Sequence, residues 1–497
     1  MRWPVGAVSV IVMMLIAGCA TQSSIDADLN QSQRKAYQNW RIQRKKAERA
    51  DTTRASLHVG NKHKKGKQPL ITGQLNMPSA VRLALIYNRD LQSAIEHKEY
   101  ARGRVVQSLG VYTPTVKVDA NYRRPEKVNS FEINGRSIQV GFKNNYSLQV
   151  DVKQPIFKFG DFAAGLKGAH LYKALTDKKI QTAAANTIYQ TDQAYLNVLL
   201  LKQEYEVNKQ QVALSDSMLQ DARNKKKFGT ASNFNLLRAK VQLSNDRTQM
   251  FRSKNNLEQA KAKLYRVMGV SQNSNVELKD TLQYKPTSVN ESQAVKKALI
   301  NRPDLDAQLL NVKLQHEAVV RAKGAYFPGI SAFFRNVWAK PSPFIQTRDN
   351  FGRIYNVGLQ LNWSLFDLSR EGNIKEEKSN FRQQKINYLD ERAQVLYDVH
   401  SAILGMQNAS KSIKAQKLTL KQAKEGLRLA KVGYREGTQD QVSVIDARQS
   451  FAEAKLNYFQ SLQNYELAHL KLLKATGQLR FHVKNKPQNV HSVDFQK

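Results

Sequence analysis

Few side chains in this sequence could act as nucleophiles, bases or metal ligands, and none form a catalytic set. The nine His residues are scattered. His97, His170, His316 and His400 stand singly on helical stretches, where a His is more often a surface residue than a ligand. There is no Gly-rich phosphate loop, no dinucleotide Gly pattern and no His-Glu-x-x-His pair. The single Cys excludes an internal disulfide and a Cys-based metal site. Of eight Met residues, three fall in or just before an N-terminal apolar run, which argues against a methionine route for soft metals. The chemistry that remains is charge. Against 41 acidic residues stand 78 Lys and Arg, a formal net charge of +37 over 497 residues. Such a balance suits an anionic partner: nucleic acid, an anionic membrane surface or acidic cargo.

Two short motifs share a Gly-Thr pair, and the first is strongly basic. Lys225, Lys226 and Lys227 precede Phe228-Gly229-Thr230-Ala231-Ser232, and Tyr434-Arg435 precede Glu436-Gly437-Thr438-Gln439-Asp440. Gly provides a left-handed helix C-cap, and Thr, Ser or Asp an N-cap for a returning helix. Each motif therefore reads as the tip of a helical hairpin. The three lysines suit the negative end of their own helix; an acidic docking surface is the other reading. Asp440 reads first as an N-cap.

The hairpins must be long. No Pro occurs from Ile156 to Lys285 or from Phe344 to Lys486, and Pro costs about 3 kcal/mol in a helix interior. Asp161 to Phe228 would reach roughly 100 Å as one helix. Leu236, Leu243, Met250, Leu257 and Leu264 recur every seven residues, as do Val444, Phe451, Tyr458, Tyr465 and Leu472. Small residues follow three later in the second series (Ala447, Ala454, Ser461, Ala468, Ala475), a coiled-coil seam. Leu389, Leu396 and Ile403, with Val399 and Met406, extend the rhythm to the outgoing helix of the second hairpin.

These hairpins belong to a duplicated unit. Ala84-Leu85-Ile86 recurs as Ala298-Leu299-Ile300, Asp90-Leu91 as Asp304-Leu305, and Tyr112-Thr113-Pro114 as Tyr326-Phe327-Pro328. Units of roughly 200 residues are too long for a solenoid repeat. Four segments have period two instead: around Val116–Tyr122, Tyr146–Lys153, Ile330–Phe334 and Tyr355–Trp363. One face of each is apolar and the other polar, with lengths suited to tilted outer-membrane strands. Lipid admits a sheet only as a closed barrel, and four strands cannot close. Copies must pool their strands; a conducting interior favours three or more, and the sequence alone leaves the number open.

At the N-terminus Arg2 precedes an apolar run, Val5 to Ala17, too short to span a membrane and shaped like a secretory signal. Ile16-Ala17-Gly18-Cys19 resembles a bacterial lipoprotein signal, which implies cleavage after residue 18 and a covalent lipid on Cys19. Ala20, rather than Asp, implies sorting to the outer membrane. Residues 20–75 are polar and basic, and Asn61–Lys67 reads as loop, either a solvated tail or a contact for anionic headgroups.

The duplicated order, the Gly-Thr tips, the Tyr-x-Pro before each first strand and the Cys19 signal together resemble the TolC-like outer-membrane efflux proteins, lipoprotein branch. The resemblance implies a mostly α fold with membrane β: a duplicated helix–strand–strand–helix–helix repeat, a trimeric 12-stranded β-barrel and a long periplasmic α-helical coiled-coil barrel. The implied division is a signal peptide at 1–18, a lipidated basic segment at 19–75, repeats at 76–285 and 286–480, and a tail at 481–497. The implied partners are two further copies, outer-membrane lipid, a periplasmic adaptor and an inner-membrane pump, RND-type or ABC exporter. No nucleic acid, no enzymatic activity and no cofactor beyond the lipid are expected. In the family, acidic residues after the second tip ring the gate. Asp446 matches one position; Ser443 stands at the other and departs from the pattern, and Asp440 could supply the missing charge. Tyr434 matches a tyrosine tying the hairpins together, with Asn235 as its expected partner. Lys225, Lys226, Lys227, Gly229, Thr230, Gly433, Arg435, Gly437 and Thr438 line the expected docking grooves. The main function expected is a passive duct for small toxic molecules. Its alternative is the outer component of type I protein secretion, carrying acidic unfolded proteins. A lipid-anchored coiled-coil scaffold is more remote, since it predicts no period-two segments.

Overall fold

The computed structural model describes residues 57–59, 68–133, 136–344 and 349–479. The expected signal peptide, Cys19, the basic stretch 61–67 and the tail 481–497 lie outside them. The architecture below belongs to one unit, Val59–Arg480; the other, Met1–His58 with Phe481–Lys497, contributes only Leu57 and His58, the start of a three-residue strand (β1, Leu57–Val59).

Local signals repeat in both halves. The first opens with helices α1 (Met77–Tyr87) and α2 (Arg89–Gly110). Asn76 caps α1 by accepting from the Ser79 N–H at 3.0 Å, and Asn88 caps α2 by accepting from Leu91 at 2.9 Å. Such caps are worth about 1 kcal/mol each. The second half opens with α5 (Glu291–Asn301), capped by Asn290, and α6 (Pro303–Gly324). Where Asn88 caps α2, the second copy has Arg302. Its guanidinium bonds Asp304 and Asp398 instead, the latter at 2.7 Å.

Between these pairs and the hairpins lie the strands. β3 (Thr115–Arg123) and β6 (Asn145–Lys158) come from the first copy, β8 (Gly329–Lys340) and β9 (Gly352–Asn362) from the second. They form one antiparallel sheet in the order β3-β6-β8-β9. The register aligns apolar residues across it: Val116 faces Val152, Phe334 and Val357 in turn. Ala120, Leu148 and Trp338 make a second such row. Large apolar side chains on this face stay exposed, Val357 at 73%. Aromatic rings mark both ends: Tyr122 lies 4.9 Å from Tyr146, and Phe159 3.8 Å from Phe327. Alternation, length and aromatic ends are those of a membrane-spanning sheet. β4 (Asn129–Ile133) and β5 (Arg136–Val140) form a separate hairpin in the β3–β6 connection, which the sequence reading did not anticipate.

The long helices follow. α3 (Asp161–Lys227) returns as α4 (Asn233–Met268), and α7 (Leu368–Arg435) as α8 (Gln441–Ala475). At 67 and 68 residues, α3 and α7 are each about 100 Å long. α8 keeps the expected seam, with Val444, Ala454, Ser461, Tyr465, Leu472 and Ala475 buried. On α7 the seam differs from expectation. Val395, Val399, Ala402, Met406, Ala409 and Ile413 are buried at alternating four- and three-residue steps. Val399, Ile403 and Met406 are buried as expected, but Leu389 and Leu396 are 59% and 40% exposed. Both rows recur every seven residues, so periodicity cannot choose between them; packing against Leu462, Tyr465 and Leu472 does.

Beside the middle of α3, where the Tyr195 hydroxyl reaches the Leu75 carbonyl, β2 (Ile71–Leu75) pairs in parallel with β7 (Asn275–Leu278). Gly269 ends α4 at φ 73°, and a Cβ there would lie 2.0 Å from the Tyr87 carbonyl oxygen. Only Gly permits both that angle and that approach. Tyr195 of α3 places its hydroxyl 2.8 Å from Asp280, which also accepts from the Met77 N–H at 2.8 Å. Nearby on α3, Asp192 is buried with Oδ1 unbonded among the described residues.

Val357→Lys, mid-strand on the apolar face, should cost about 2–4 kcal/mol in the bilayer and reduce heat-modifiable oligomer on gels, while Asn356→Lys on the opposite face should not. Burial pushes the Asp192 carboxyl from 3.8 up to about 7. The folded state therefore holds this proton more tightly than the unfolded chain, and its contribution to stability declines as pH rises through that window. Asp192→Asn should raise the unfolding temperature at pH 8 and change it less at pH 5.

Candidate gate and docking tips

The two tips are built alike. After α3, the Thr230 N–H donates to the Lys225 carbonyl at 2.8 Å, and the Thr230 hydroxyl donates to the same oxygen at 2.9 Å. After α7, Thr438 does the same to Gly433, at 2.8 and 3.2 Å. Gly229 and Gly437, at φ 73° and 79°, supply the left-handed residue that lets each Thr fold back. Ser232 caps α4 by accepting from the Asn235 N–H at 3.2 Å. Asp440 caps α8, accepting from the Ser443 N–H at 2.9 Å and its hydroxyl at 2.7 Å. These bonds, backbone first, hold the Asp440 carboxyl below the usual range. Ser443, which departs from the expected acid, thus serves the cap. Gly433 packs closely: a Cβ there would lie 2.9 Å from Gln439 Cγ.

The expected pairing of Tyr434 with Asn235 is not the one formed. Lys225 Nζ donates to the Tyr434 hydroxyl at 3.1 Å and sits 4.2 Å from the ring centroid. A long, flexible Lys on the last turn of α3 reaches the ring, while Asn235 uses its backbone N–H in the cap. Lys225 therefore joins the two hairpins. Lys226, Lys227, Arg435 and Asp446 stay exposed, and the Asp446 carboxylate, on α8, has no hydrogen bond or ion pair to another described residue.

A second link between the hairpins was missed in the sequence. Arg448, two residues beyond Asp446, is 3% exposed. It crosses from α8 to α3, donating to the Gln211 carbonyl at 3.0 Å, Gln211 Oε1 at 2.9 Å and Ser215 Oγ at 3.0 Å. Asp246 of α4 lies 3.8 Å away and accepts from the Ser215 hydroxyl. Burial pulls the Arg448 pKa down and Asp246 opposes that. The duplication concealed this residue, because its counterpart 208 positions earlier is the exposed Lys240. Its one signal is a cation flanking the Val444–Ala447 seam, where coiled coils place inter-helix charge.

Removing one partner of a buried charge network costs about 3–5 kcal/mol. Arg448→Met should loosen the second hairpin from the first and raise single-channel conductance in planar bilayers. Lys225→Met should do so more weakly, because its pair is exposed. Unchanged conductance in Arg448→Met would show that the network does not restrain the tips.

Among the described residues no helix is long and apolar enough to cross a membrane, and no group of His, Cys, Asp and Glu could hold a metal ion. No curated protein matches the sequence. The fold is that of solved outer-membrane channels. The Campylobacter jejuni CmeC outer membrane channel superposes with TM-score 0.70 at 17% identity, over 86% of this chain and 93% of that one. The open-state MtrE outer membrane channel of Neisseria gonorrhoeae gives 0.66 at 16%, over 81% and 88%. VceC, an outer membrane protein of Vibrio cholerae, gives 0.67 at 15%, over 81% and 96%. A sequence model of the outer membrane efflux protein family matches residues 80–270 and 294–478, one span in each half of the duplication, and the chain belongs to that family.

Proposed function

We propose that three copies of this chain form a passive duct from the periplasm through the outer membrane, anchored by lipid on Cys19. Small toxic molecules enter it from an inner-membrane pump of the RND type through a periplasmic adaptor. The observation that carries this reading is the continuity of two structures that water or lipid alone would not favour together. A sheet with an exposed apolar face and two unpaired outer edges, on β3 and β9, runs directly into helices about 100 Å long. Three such sheets supply twelve strands, and the helices continue the wall. The gate lies at the tips, where the exposed Asp446 of each copy would meet its two equivalents. A ring of like carboxylates attracts cations and holds them at the constriction. Lys226, Lys227, Arg435 and the Gly-Thr turns form the surface for the adaptor. The formal charge of +37 favours a second reading, an ABC exporter passing acidic unfolded proteins through the same duct.

Deleting the gene and measuring both drug susceptibility and secreted proteins separates the two: the first reading expects greater susceptibility with secretion intact. Cys19→Ser should abolish incorporation of labelled palmitate. Asp446→Ala should raise single-channel conductance; an unchanged value removes Asp446 from the gate.

A further inference from the structure

The polar face of the β3-β6-β8-β9 sheet carries an unmatched charge. In one row Lys117 faces Asp151, which faces Arg335, which faces Asn356. In the next row Thr115 faces Lys153, which faces Phe333, which faces Gly358. The rows are two residues apart, about 7 Å. Together they hold three cations and one carboxylate. Arg335 Nε takes that carboxylate, donating to Asp151 Oδ1 at 2.6 Å. Lys117 and Lys153 are exposed, with no carboxylate within 4.0 Å among the described residues. Where the strands meet the helices each cation has an ion-pair partner instead: Lys158 and Arg321 both pair with Asp161, each at 2.5 Å. Asp119, the one other acid on this face of the four strands, lies in the row beyond, toward the opposite end from Lys153.

We infer that these rows form a basic collar inside the barrel that favours anionic cargo and binds solutes carrying several phosphate or carboxylate groups. The inference rests on the proposed threefold duct. The apolar face must meet lipid, so the polar face lines the lumen. Threefold closure then brings three sets of Lys117, Lys153 and Arg335 around one ring, each set two charges in excess. A narrow passage with low-dielectric walls focuses such a field and concentrates counter-ions within it. The pull is screened within about 8–10 Å at physiological salt, comparable with the spacing of the rows, so it acts on solutes inside the ring and weakens as salt rises.

The test uses full-length wild-type protein, Lys117→Gln/Lys153→Gln and Asp151→Asn in planar bilayers. Inorganic tripolyphosphate is added on the barrel side, which it can enter without passing the tips. The collar predicts block of the wild-type current that is relieved by salt. The half-blocking concentration should rise at least about tenfold in Lys117→Gln/Lys153→Gln and fall in Asp151→Asn. Wild-type channels that conduct but are insensitive to tripolyphosphate overturn the collar alone, as does equal block in all three proteins. A wild-type oligomer that never conducts overturns the duct and the collar with it. If the double variant does not assemble, the direction of change in Asp151→Asn decides.

Discussion

Hydrocarbon offers no partner to a backbone N–H or C=O, so any sheet that meets lipid must pair every strand edge. The rest of this molecule follows from that constraint. Its four strands form one sheet with an apolar face exposed along its length, and β3 and β9 end it with their outer edges open. The two edges are antiparallel in sense: β3 rises from the helices and β9 returns to them. One copy's β9 can thus continue the ladder onto the next copy's β3 without changing its pattern. Pairing the edges and closing the wall are the same event, which makes assembly a condition of membrane insertion.

Closure at one end sets the problem at the other. A wall wide enough to conduct through the membrane must be narrowed where it opens into the periplasm, or it leaks. In the proposed duct the hairpins of the four long helices would do this, each tip tied within itself by its own turn. Within each tip, Thr230 and Thr438 lock the turn through paired bonds to one carbonyl. Between the hairpins, polar contacts include the exposed Lys225–Tyr434 pair, the buried Arg448 network and Lys455 Nζ donating to Gln210 Oε1. A buried guanidinium is costly unless its partners remain in place. Separating the hairpins here therefore means breaking the bonds of Arg448 to Gln211 and Ser215 together.

The departures from the sequence reading share one cause. Leu389 and Leu396 were expected in the α7 seam beside Val399 and Met406, yet Val395 and Ala402 stand there with that pair. Tyr434 was expected to meet Asn235 and meets Lys225. Arg448 drew no notice although it is the most buried cation near the tips. In each case the residue type and spacing allow several partners, and the choice lies with a helix distant in the chain.

The sequence by itself determined the duplicated order of elements, the hairpin tips and the strands with one apolar face. All of these rest on local rules: Pro is absent from long helices, Gly-Thr turns a chain back, and side chains alternate across a strand. It also determined that four strands need further copies. Only the tertiary structure decided which of two heptad rows is buried, which side chains join the hairpins, and that Lys117, Lys153 and Arg335 share one face with a single carboxylate between them. Those depend on register across strands and helices from opposite halves of the chain. Register is set by packing summed over many contacts, which no window of sequence contains.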